Sequence, residues 1–191
     1  MKKLVISYIP NDFHPKTHIA LGPWCFLNNQ EMLFQDIDFE PDPYKTFEDM
    51  QHDANLADSF SEYLVNLLAV DLNKKNDTEY SQEFWRILLM PWVNMLVHIV
   101  IERFRRIDKL LQRYPKEVFS IELIKRDNSW EFYNIQDFVE CCVNSIVFNE
   151  WIYSKIIEMN YSTKFQITYR YVNNIKLNNN RHYQPSLALK L

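Results

Sequence analysis

Apolar positions along the chain recur with two different periods. Leu4 to Ile9 is a short, β-branched apolar run stopped by Pro10, the pattern of a buried strand. His18 to Leu21 repeats it on a smaller scale and ends at Gly22-Pro23. Val118 to Ile124 alternates, and Phe165, Ile167, Tyr169 and Tyr171 alternate with Gln166, Thr168 and Arg170, so both segments predict strands. Elsewhere the period is helical. Leu56, Phe60, Tyr63, Leu64, Leu67, Leu68 and Leu72 follow a capping-box-like Thr46-Phe-Glu-Asp49, and polar Asn73–Asp77 closes the run. Phe138, Cys142, Ile146, Phe148, Ile152 and Ile156 predict a further helix from Ile135 to about Asn160, with Asn134 as its cap.

The most apolar helix lies in mid-chain, between Thr78 and Tyr114, with Asp77 or Thr78 as its expected cap. Phe84, Leu88, Trp92, Met95 and Ile99 fall on one side, and Trp85, Leu89, Val93, Leu96 and Val100 on the other. A helix apolar all round is buried or embedded in lipid. Ile87 to Ile101 is shorter than the ~20 residues a span needs and contains Pro91, Asn94 and His98, so a water-shielded core helix is the expectation. Trp92 would then be fully buried, His98 a neutral core histidine, and Pro91 the site of a kink. Peripheral membrane contact through the basic end, Glu102 to Arg106, is the alternative.

These elements predict an α/β or α+β fold, with a small, mainly parallel sheet packed by long helices. Residues 1–172 form one domain in this reading, and Asn-rich 173–191 a tail or the start of a further region. The net charge of −4 excludes the basic footprint of a nucleic-acid binder, so no nucleic-acid partner is expected. The single glycine, Gly22, rules out a Walker loop or a GxGxxG turn, both of which need several glycines near phosphate. Cys25, Cys141 and Cys142 are an odd set without a CxxC pair and read as reduced thiols of a cytoplasmic protein. No metal site and no cofactor is expected.

Candidate chemistry is sparse. Trp24 and Cys25 follow the end of a predicted strand, where α/β proteins collect ligands, or else they pack beneath that loop. Arg86 enters an apolar helix and needs either a structural ion pair or an anionic ligand. Arg103 stands beside Glu102 at the far end of the same helix. His14, on a turn-rich loop, is the one candidate for a general base, by its ordinary titration range alone.

Two ordered segments carry a resemblance. Leu21, Gly22, Trp24 and Cys25, then Phe84, Trp85, Arg86, Pro91 and Trp92, then Glu102 and Arg103 resemble the N-terminal part of a family of transferases from bacterial surface-polysaccharide (O-antigen) gene clusters. That family has an LGxWC-like turn, a YWRxxxGPWL-like helix and an acidic-Arg pair. Met90 stands here where the family has glycine, and Phe84 replaces the first aromatic. The resemblance implies a Rossmann-like, acceptor-side lobe of a longer two-domain glycosyltransferase. Its partners would be a sugar or glycolipid acceptor and, through a region beyond these residues, a nucleotide-sugar donor. It implies work in the cytoplasm, at the inner face of the membrane. Trp24, Cys25, Arg86 and Arg103 become ligand-binding candidates in that light. A non-catalytic interaction module is the rival reading.

Overall fold

Four parallel strands pair in the order β2-β1-β3-β4. In the computed structural model, which describes residues 1–29, 41–125, 135–140 and 144–172, they are β1 (Lys3–Val5), β2 (His18–Ala20), β3 (Phe119–Lys125) and β4 (Phe165–Tyr171). Helices α1 (Phe47–Asn76) and α2 (Gln82–Arg113) join β2 to β3. A single turn α3 (Ile135–Phe138) and α4 (Ile146–Asn160) join β3 to β4. The fold is α+β with a Rossmann-like strand order. Lys3 pairs with His18 on one side and Ser120 on the other, while β3 and β4 stay in register from Phe119–Phe165 to Lys125–Tyr171.

Strand alternation decides what each face buries. Leu4, Ile6, Ile19, Leu21, Ile121 and Leu123 meet Ile107 and Leu110 of α2 and Tyr153 and Ile157 of α4 in the main core. Each such side chain removed from water is worth about 1.5–3 kcal/mol. The other face of β1 and β2 carries Val5 and Ala20, covered by Ile9, Cys25 and Phe26. Farther across, that face presents Glu122, Gln166, Thr168 and Arg170, all exposed.

α1 and α2 form an antiparallel hairpin, since Arg86, His98 and Arg105 meet Glu62, Asp58 and Asp53 in reverse order. α1 turns a stripe of mostly small residues inward, with Ala57, Ser61, Val65 and Ala69 following Asp53. Asp77 adopts φ 53° to end α1, and α2 is capped by Ser81, whose hydroxyl accepts from Phe84 N, and not by Asp77 or Thr78. α2 continues through Pro91 as one helix.

The water-shielded rod expected in mid-chain is not what forms. No residue from Gln82 to Leu96 is buried, and Ile87 is 67% exposed. The cause is length. A 32-residue helix runs about 48 Å, whereas a seven-residue strand spans about 23 Å, so the sheet covers only the C-terminal part of α2. By length and composition α2 matches a membrane-crossing helix, its best window having mean hydropathy 1.6. Trp92 is half-buried, edge-on to Phe138 in a second cluster with Phe148, Ile152 and Ile156. The single helix expected from Ile135 is interrupted, and α4 restarts behind Ser145, whose hydroxyl accepts from Phe148 N. Asn134, Cys141, Cys142 and residues 173–191 lie outside the described residues.

Asp53 ties the hairpin to its base. Its buried carboxylate accepts from Arg105 at 2.8 and 2.6 Å, and that guanidinium holds its pKa below the usual carboxylate range. A lowered folded-state pKa contributes stability above the unfolded value and loses it as pH falls below about 4. Asp53→Asn is therefore expected to cost about 3 kcal/mol at pH 7, the low end for a broken buried pair because Arg105 keeps some water. Thermal melts from pH 7 to 2.5 check this: the acid-side slope should be shallower in the variant.

Candidate functional site

The carboxyl ends of β1 and β2 open onto a short 3-10 turn, Pro23–Phe26, that folds back on the strand ends. Ile9 N donates to Cys25 O at 2.8 Å, and Trp24 Nε1 donates to Ile6 O at 3.1 Å. Gly22 precedes this turn in an extended conformation. Glycine is required there by space: a Cβ would collide with the Trp24 ring.

Against this turn lies the C-terminal part of α2. Arg106 donates to Glu102 Oε1 at 2.7 and 3.0 Å and to Pro41 O at 3.3 Å, and its guanidinium stands 5.0 Å from the Trp24 ring centroid. Arg103 pairs with Glu102, donates to Asn149 Oδ1 at 3.0 and 2.8 Å, and lies 5.8 Å from the Tyr153 ring. Trp24 and Tyr153 are near parallel, 6.3 Å apart.

α4 supplies the opposite wall, because its first turns point at the strand ends. Asn149 is oriented by its own bond to Ser145 O. Glu150 is buried; Arg170 Nη2 reaches it at 2.7 Å while Arg170 Nε reaches Glu122 at 3.1 Å. Burial pushes the Glu150 carboxyl up in pKa, opposed by Arg170 and by a hydrogen bond with Ser7. Ser7 follows β1 and Arg170 belongs to β4, so Glu150 bridges the region where the strand order reverses, the usual ligand crevice of open α/β sheets. Tyr153 OH is buried without a hydrogen-bond partner among the described residues, and burial raises its pKa, keeping the phenol neutral.

A pocket of about 300 Å³ opens on the hairpin beside this network, lined by Tyr44, by Asp53 of α1 and by His98, Glu102 and Arg103 of α2 among others. Burial raises the Tyr44 phenol to about 12, so it stays protonated beside Asp53. His98 Nε2 lies 3.2 Å from Asp58 Oδ1, which also accepts from Asn94 at 2.8 Å. Those two bonds, that from Asn94 first, lower the Asp58 pKa. His98 is thus a part-exposed pocket residue with a carboxylate partner, and not the core histidine expected.

Trp24, Cys25 and Arg103 come together here, but their roles differ. The Trp24 ring, a ligand-binding candidate, already bears Arg106 and Tyr153. Cys25 is fully buried, its thiol donates to Val5 O at 3.4 Å, and burial pushes it up to about 12, so it packs and does not present a thiolate. Arg103 alone of the three lines the pocket. Two candidates stand apart. Arg86 is held by Glu62 at 2.8 to 3.2 Å, which decides for the ion pair over the anion contact. It lies 17 residues before Arg103, about 25 Å along the helix. His14 is exposed in the turn before β2, at the opposite end of the strand from Trp24. The sequence reading missed Arg106, Tyr153 and Glu150. The four-residue steps Glu102–Arg106 and Asn149–Tyr153 were the available signal, each putting two functional groups on one helix face.

Gly22→Ala should displace the Trp24 ring and cost about 1–3 kcal/mol, as overpacking does. The check is a melt combined with near-ultraviolet dichroism, where the Trp24 contribution should change while far-ultraviolet signal persists.

The family model described as LIC12162 family transferase covers residues 2–190. No curated protein and no solved structure matches the chain.

Proposed function

The chain belongs to the LIC12162 transferase family, and on that premise we propose that it is the acceptor-side lobe of a glycosyltransferase of bacterial surface-polysaccharide synthesis. The observation that carries this reading is the 300 Å³ pocket that Tyr44, Asp53, His98, Glu102 and Arg103 line together. Its size suits one or two sugar rings, at the small end of ligand sites. Carboxylates and a protonated phenol complement sugar hydroxyls. Arg103, with a fork of donors, suits a phosphate or carboxylate on a charged sugar.

His98 takes the place given to His14 as the base, since it lines the pocket and has Asp58 to orient it. In the transfer, an acceptor hydroxyl oxygen bonds to the anomeric carbon of the donor sugar. The bond from that carbon to the donor phosphate breaks, and the hydroxyl proton passes to His98. The nucleoside diphosphate leaves with its electron pair, and a further lobe holds it. The reaction belongs at the cytoplasmic face of the membrane, where nucleotide sugars meet glycolipid acceptors.

Titration of the isotope-labelled chain with hexose and hexose phosphate, read by NMR, tests the reading. Shifts should concentrate around His98 and Arg103, and Arg103→Met should weaken the phosphorylated sugar about tenfold, or 1.4 kcal/mol, while sparing the neutral one. In the active enzyme, His98→Asn should lower kcat about 10²–10⁴-fold. Saturating sugar with no response from the pocket residues would contradict the proposal.

A further inference from the structure

Leu56, Phe60, Tyr63, Leu67 and Val70 stand four, three, four and three residues apart on α1. That is the seam spacing of a coiled coil, and it forms a straight ridge. The ridge does not face α2. The buried stripe of Asp53, Ala57, Ser61, Val65 and Ala69 does, and lies roughly 140° round the helix at 3.6 residues per turn. The ridge residues are 38%, 46%, 59%, 48% and 64% exposed in that order. A contiguous apolar strip of this kind marks an interaction site.

Charge selects the partner. Asp49 lies on the line of the ridge at one end and Lys74 at the other, both exposed. Two copies of α1 crossing antiparallel about Tyr63 bring each Lys74 within a turn of the other's Asp49 and oppose their helix dipoles favourably. Parallel copies would put like charges together. A bilayer fits poorly, because the hairpin tip carries Asp71, Asp77, Glu79 and Glu83 against Lys74 and Lys75, an excess of negative charge.

We infer that the chain self-associates as an antiparallel, two-fold symmetric dimer through the outer face of α1. Five half-exposed side chains offer on the order of 400 Å² per copy, so the contact is at the weak end of specific interfaces. The dimer is isologous, each ridge packing on its own equivalent. The inference stands apart from the sugar pocket, which α1 closes from its opposite side.

Sedimentation equilibrium on the purified chain from 5 to 500 μM is the test. The expected result is a monomer–dimer equilibrium that Phe60→Glu and Leu67→Glu each weaken at least about tenfold, with melting temperatures near that of the parent chain because both positions are exposed. Asp49→Lys and Lys74→Glu should each weaken self-association alone, and a mixture of these two variants should recover it. A chain monomeric at 500 μM would overturn the inference. So would dimers that survive both ridge substitutions, or co-flotation with phosphatidylcholine–phosphatidylglycerol vesicles by a chain that never dimerises.

Discussion

Arg106 carries a permanent charge into the base of the molecule at 8% exposure, and the arrangement around it follows from that constraint. A guanidinium cannot shed its proton to escape burial, so its donors must be met. Glu102, one turn earlier on the same helix, takes two of them, the Pro41 carbonyl takes another, and the Trp24 ring faces the charge. With Arg106 fixed, the rotation of α2 about its axis is fixed. Ile107 and Leu110 then point into the sheet, and Arg103 points toward Asn149 and the pocket. Gly22 belongs to the same constraint, since only a residue without a side chain lets the Trp24 ring lie where Arg106 needs it.

Much of the fold was legible because it depends on local pattern. Short apolar runs located β1 and β2 and alternation located β3 and β4, and long helical segments separate β2 from β3 and β3 from β4, as parallel pairing requires. The α2 cap was misplaced because Asp77, Thr78 and Ser81 are all competent caps, and the choice rests on Asp77 being used to end α1. The burial of α2 was misjudged for a different reason. Hydrophobicity reports what a segment avoids, not whether three- and seven-residue strands are long enough to cover it. The site was legible only in part. Arg103 was marked by its acidic neighbour and Tyr153 by its step from Asn149, but Glu150 appears as an ordinary member of an apolar helix until the strand ends are brought against it.

The molecule therefore has two unlike ends. Around the strand ends, charged groups are desolvated and paired. Toward the hairpin tip, ion pairs such as Arg86–Glu62 are exposed and contribute little to stability, and apolar side chains remain unpartnered by the sheet. An apolar arm on an acidic tip suits contact with protein better than with an anionic bilayer. The pocket and the apolar ridge lie on different surfaces of one helix pair.

A double-mutant stability cycle on Glu102→Gln and Arg106→Met measures whether this ion pair positions α2. Glu102→Gln alone is expected to cost about 3–5 kcal/mol by stranding a buried cation, and adding Arg106→Met to recover much of that loss. Additivity of the two substitutions within about 0.5 kcal/mol would mean that the pair does not set the position of α2.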